Sequence, residues 1–238
     1  MPKGTGVIAK LNLRNIKAAY IWSGVLAFVS FTQMIIQYII ASSSGNIINN
    51  STVSPGSYVF LLVLIAAIMI PASNFHRTIN LGGRRSNFLW GSLVTYAILA
   101  VALSFINTIS FFTFDQFIQQ SGYFGFMGGV LSLVQVFGWA QNGFIIAFLQ
   151  QAAFLFLMAS FFHTFTAMQG KWYGWITNVV IVAILAVFIP VPVLRPSLVW
   201  FFNMIIFHDT AFLQIAACIL LAAAIYALNK PIYARKAI

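Results

Sequence analysis

The sequence predicts an all-α integral membrane protein, and three observations lead there. Of its 238 residues, 61% are hydrophobic and only 6% are charged, where an ordinary soluble domain is roughly 25% charged. Apolar runs near the roughly 20 residues that cross about 30 Å of hydrocarbon recur along the whole length. Those runs are continuously apolar, whereas the strands of a membrane barrel alternate in segments of about ten residues. The first run starts near Ala18 with no small-x-small cleavage site ahead of a soluble domain, so no cleavable signal peptide is expected.

Residues 1–17 are polar and basic, with Leu11, Leu13 and Ile16 interspersed. They read either as an interfacial helix held to anionic headgroups or as a basic tail. Six spanning helices follow, at about Ala18 to Ile40, Tyr58 to Ala72, Phe88 to Phe112, Phe144 to Phe165, Trp172 to Ile189 and Ala211 to Leu228, in a single transmembrane domain, 1–238. The second run is only about 22 Å long at 1.5 Å per residue, so it should extend into its flanks. The loop at 41–58 is rich in Ser, Asn, Gly and Pro, a turn composition. Its Asn49 and Asn50 match the glycosylation pattern, and two short matches in an Asn-rich loop carry no function.

The connections before the fourth and sixth helices are less ordinary. FDQFIQQSGYFGFMGG (114–129) with VLSLVQVFG (130–138), and PVPVLRPSLVWFFNMIIFHDT (190–210), contain apolar stretches too short to cross. Such stretches are expected as re-entrant or interfacial segments. Both fall on the outer face and should partly lid it.

Charge sets the orientation. With a cytoplasmic N-terminus, the inner side receives Lys3, Lys10, Arg14, Lys17, Arg77, Arg84, Arg85, Lys171, Lys230, Arg235 and Lys236, and the outer side only Arg195. That is a strong positive-inside pattern with both ends cytoplasmic. The net charge of +10 therefore reports topology, and nucleic acid is not an expected partner.

Little in the chain looks catalytic. There is no phosphate loop, no metal-ligand spacing and no nucleophile with a base, so no catalytic residue, metal or bound cofactor is expected. Cys218 reads as a small buried hydrophobe, and His76, His163 and His208 as polar groups at the membrane border. Asp115 and Asp209, the only acids, are expected near the outer surface. The absence of a mid-membrane acid argues against a proton-coupled carrier. Arg195 and Asp209 are expected to pair as an outer gate. The polar residues within spans (Thr95, Ser104, Asn107, Gln150 and Gln151 among them) read as glue between helices. Gln33 and Gln37 in the first span, with Thr177 and Asn178 in the fifth, have the sharper reading of a translocation path. An apolar, weakly charged lining fits an amphipathic substrate.

One loop concentrates charge: NFHRTINLGGRRSNFLWG, 74–91. Phe75, His76 and Ile79 are spaced for one face of a short helix, which Gly82 and Gly83 should end. Ser86 or Asn87 suits the cap of the next helix, opened by Phe88. LGGRRSNFLWG (81–91), between the second and third of six spans, resembles the motif at that place in permease subunits of bacterial type-2 ABC transporters, especially short peptide-toxin exporters. The resemblance implies that 74–90 is a coupling helix docking into a separate ATPase, with Phe75, His76, Arg77, Thr78, Arg84, Arg85, Ser86, Asn87 and Phe88 at the contact. It further implies ATP and Mg on that ATPase, a second permease copy, and export of an amphipathic peptide or lipid-like substrate across the bacterial cell membrane. The competing expectation is a non-transporting membrane partner, for immunity, sensing or assembly, that recruits a soluble protein through the same loop.

Overall fold

The computed structural model describes residues 4–45, 51–123 and 129–234. Asn49, Asn50, Lys3, Arg235 and Lys236, and residues 124–128 of the third connection, lie outside the described residues. Within them the chain is a helical bundle: α1 (Thr5–Asn15), α2 (Lys17–Ser44), α3 (Pro55–Asn80), α4 (Arg85–Gln120), α5 (Phe144–Met168), α6 (Trp172–Phe188), α7 (Arg195–Phe207) and α8 (Ala211–Ala234). Five of these, α2, α3, α4, α5 and α8, are long and apolar enough to cross a membrane, which makes this a multi-pass membrane protein. The second run does extend into its flanks, giving α3 26 residues and about 39 Å. Helix α6 has 17 residues, about 26 Å.

Helix α5 is the hub. It is mostly apolar, its polar residues being buried, and packs on α8, α4 and α3, as a helix without a polar face should. It runs antiparallel to α4, joined through Asn107 with Gln151 and Tyr96 with His163. It runs parallel to α8, joined through Gln150 with Gln214 and Thr164 with Asn229. By contrast α6 touches only α5 and α7 to any extent, and Gly174 is its one buried residue.

These contacts define two ends. At one, α1, the α3–α4 corner and the end of α8 meet, and there Lys10, Arg14, Arg77, Arg84, Arg85 and Lys230 gather. At the other, Ser51–Val53 (β1) pairs in parallel with Gly129–Leu131 (β2), a ladder absent from the sequence expectations, with Thr52 opposite Val130. There, too, the connections before α5 and α8 interlock: the Trp139 indole N–H donates to the Ile206 carbonyl at 2.9 Å, and Phe137 meets Phe207 edge-on.

The N-terminal segment is a helix. Instead of lying alone at an interface, α1 packs against the start of α4, burying Thr5, Ile8, Ala9 and Asn12. The approach is close because Gly91 has no side chain: a Cβ there would stand 2.6 Å from the Ile8 side chain. Gly6, on the open side of α1, has nothing within 4 Å of such an atom. Ala is preferred to Gly in a helix by about 1 kcal/mol, so Gly6→Ala should raise the thermal midpoint in detergent. Gly91→Ala should lower it, through an overpacking cost of about 1–3 kcal/mol.

Candidate functional site

The corner between α3 and α4 is a built structure. Its first side, Phe75–Asn80, ends in a Schellman motif: the Gly82 N–H donates to the Ile79 carbonyl at 2.9 Å and the Gly83 N–H to the Thr78 carbonyl at 2.9 Å. Gly82 supplies the left-handed turn at φ 79°, and a Cβ on Gly83 would lie 2.7 Å from the Thr78 carbonyl oxygen. Each glycine thus has its own job, one conformational and one steric. The next helix begins at Arg85, with Arg84 as its extended N-cap and no side chain capping it. The expected cap at Ser86 or Asn87 is therefore displaced: both lie inside the first turn.

Inward and outward residues separate cleanly. Phe75, Thr78 and Phe88 are buried, whereas His76, Arg77, Arg84 and Ser86 are exposed, so His76 does not share the face of Phe75. Phe75 packs on Phe88 at 5.3 Å between ring centres and on Tyr233 at 4.6 Å, and Phe88 meets Tyr233 at 5.5 Å. Arg85 turns back into the protein, its guanidinium donating to the Tyr233 and Ala234 carbonyls at 2.9 and 2.6 Å. It holds the end of α8, in the place where a cation best complements a helix C-terminus. The outward tip is left with His76, Arg77 and Arg84, and with Leu81, which is 74% exposed.

Behind the corner lies a constellation that the sequence reading missed. His163 is fully buried, with the Tyr96 hydroxyl on Nδ1 at 2.6 Å and the Tyr233 hydroxyl on Nε2 at 3.2 Å. Tyr226 lies beside the ring and donates to the Leu89 carbonyl at 2.7 Å. The border position expected for His163 was right in height along the helix and wrong in environment. Tyr226 and Tyr233, seven apart on α8 and so on one face, were the available signal. A second cluster ties α1 to the bundle: Asn74 donates to Asn12 at 3.0 Å, Asn15 to Asn74 at 3.2 Å, and Asn12 reaches Ser92 at 3.4 Å.

The remaining expected sites are not brought together. Gln33 and Gln37 face an open groove lined by α2 alone, with Phe28, Val29, Thr32 and Ile36. Thr177 and Asn178 are half-buried on α6, Asn178 exchanging hydrogen bonds of 3.2 Å with Gln169. The Arg195–Asp209 gate does not form: both are exposed, and the Arg195 Nε–H donates to the Ile189 carbonyl at 3.1 Å. The carbonyl six residues back is simply nearer than a carboxylate beyond α7. Gln150 and Gln151 are glue, bonded to Gln214 at 2.5 Å and to Thr108 at 3.3 Å. Among the described residues no cluster of His, Cys or acids could hold a metal.

No family model, no characterised protein and no solved structure matches the chain. Two of the corner's three arginines, Arg84 and Arg85, can be separated by experiment on this protein itself. Arg85→Gln removes charge-assisted bonds worth about 1.5–3 kcal/mol each and should lower the thermal midpoint clearly. Arg84→Gln, on an exposed side chain, should leave it unchanged. Tyr96→Phe, which strips a buried partner from His163, should destabilise by about 1–3 kcal/mol.

Proposed function

We propose that this chain is the membrane-spanning subunit of an ATP-driven transporter, moved by a separate ATPase that engages the α3–α4 corner. The observation that carries the reading is the division of labour in that corner. Its inner residues fasten it to α3, α4 and α8, while its tip offers Arg77, Arg84, His76 and an apolar Leu81 to a partner. A loose basic loop would fix topology equally well. A rigid one transmits displacement, because packed elements move as bodies.

Three further features support the same reading. The chain leaves α5 at the basic end and enters α8 at the opposite one, so a crossing must intervene, and α6 is the helix that makes it. That favours six spans with both termini on one side. The gathering of cations at the end of the corner supports a cytoplasmic orientation for that side. Finally, α2 and α6 are the least covered of the long helices and carry Gln33, Gln37, Thr177 and Asn178. A second copy apposed on these two helices would bring those four residues to a shared path for an amphipathic peptide or lipid-like substrate, with direction outward and ATP and Mg held by the ATPase.

The test is copurification from the native membrane. Arg77→Glu with Arg84→Glu should lose the ATPase while leaving the thermal midpoint unchanged, since neither residue is buried. Full retention of the complex with normal ATP turnover contradicts the proposal. A captured soluble protein with no ATPase activity would replace it with the non-transporting partner.

A further inference from the structure

Asp115, near the end of α4 away from the basic corner, is not exposed. It is fully buried, in a π-helical turn, Phe111–Asp115. Turns of this kind occur frequently at functional sites. Among the described residues no cation lies beside its carboxyl, and the side chains that can hydrogen-bond it are hydroxyls. The side chains beside it, Ser54 and Ser132, come from the two strands. In β1 the inward face presents Thr52 and then Ser54, and in β2 it presents Val130 and then Ser132, so the register that sets Thr52 against Val130 brings the two serines together. The Ser54 N–H donates to the Leu131 carbonyl at 2.9 Å and continues that register. The Thr52 hydroxyl is buried without a partner, while the Ser54 hydroxyl accepts the Gly56 N–H at 3.3 Å.

A buried carboxylate without a countercharge costs several kcal/mol. Among the described residues, the cation at this end of the molecule is Arg195, which is exposed and bonded to Ile189. The donors around Asp115 are all oxygens, the set preferred by hard cations. One negative charge balances a monovalent ion, whereas a divalent ion would leave excess charge in a low-dielectric site.

We infer that Asp115, with the hydroxyls of Ser54 and Ser132, forms a binding site for a sodium ion that clamps the β1–β2 ladder onto the end of α4. The site is independent of the ATPase reading. In the purified full-length protein, sodium chloride should raise the thermal midpoint saturably over choline chloride at equal ionic strength. Radioactive sodium should bind at a single site per chain. Asp115→Asn should abolish both effects, and Ser132→Ala should weaken sodium binding about tenfold, the loss of one hydrogen-bond-sized interaction. The inference is overturned if wild-type protein binds no sodium and is instead stabilised only by acid, which would place a proton on Asp115. It is overturned equally if Asp115→Asn binds sodium as wild type does. Should Asp115→Asn fail to fold, the wild-type salt comparison and sodium binding decide alone.

Discussion

The contact on which most of this structure depends is the clasp of Phe75, Phe88 and Tyr233 over His163. It joins the end of α3, the start of α4, the last turns of α5 and the end of α8. These helices come from sequence positions far apart, and between apolar helices in lipid there is little hydrophobic drive to hold them. Interlocking rings provide dispersion and preferred edge-to-face geometry, each pair adding about 0.5–1.5 kcal/mol beyond its area. The two hydroxyl bonds to His163 then fix the orientation of the whole group. Without the clasp, the corner at 75–85 would keep only its two chain connections and the Arg85 bonds to the end of α8.

The same logic governs the polar residues within the spans. Backbone and side-chain polar groups at membrane depth must find partners inside the protein. Most do so in pairs that cross from helix to helix: Asn107 with Gln151, Gln150 with Gln214, Asn229 with Thr164. Each pair is worth about 1 kcal/mol or less, but together they set the register of α4 and α8 on α5. Asp115 stands out against this background because it is a buried acid with no cation beside it among the described residues. The two ends of the molecule therefore use different chemistry. One is closed by aromatic packing and arginine, the other by a short ladder, an indole–carbonyl bond and an acid.

Much of the fold was legible in the sequence because a bilayer imposes a length and a polarity on every segment. The shortness of the second run foretold its extension, and Gly82–Gly83 foretold the end of the short helix. What escaped has physical reasons. The cap at Arg84 is set by extended backbone rather than by a side chain, so residue preference pointed to Ser86 and Asn87 instead. The depth of His163 along α5 was readable, but its tyrosine partners lie 67 and 70 residues away, beyond any periodicity. Asp115 was placed by height alone. Its burial depends on a ladder between residues 51–53 and 129–131, two three-residue strands too short to leave a pattern. The Arg195–Asp209 pair failed because opposite charges near in sequence have no claim on each other in a solvated connection.

The central claim is that residues 75–88 form a rigid part of the bundle and not a flexible basic loop. Hydrogen exchange on the purified full-length protein tests this most directly. The amides of Gly82 and Gly83, each donating within the turn, and those of the first turn of α4 should exchange slowly, at rates approaching those of α5. Tyr233→Ala should release them while leaving the amides of α5 protected. Exchange of Gly82 and Gly83 at the rate of an unstructured chain in the wild-type protein would contradict the account.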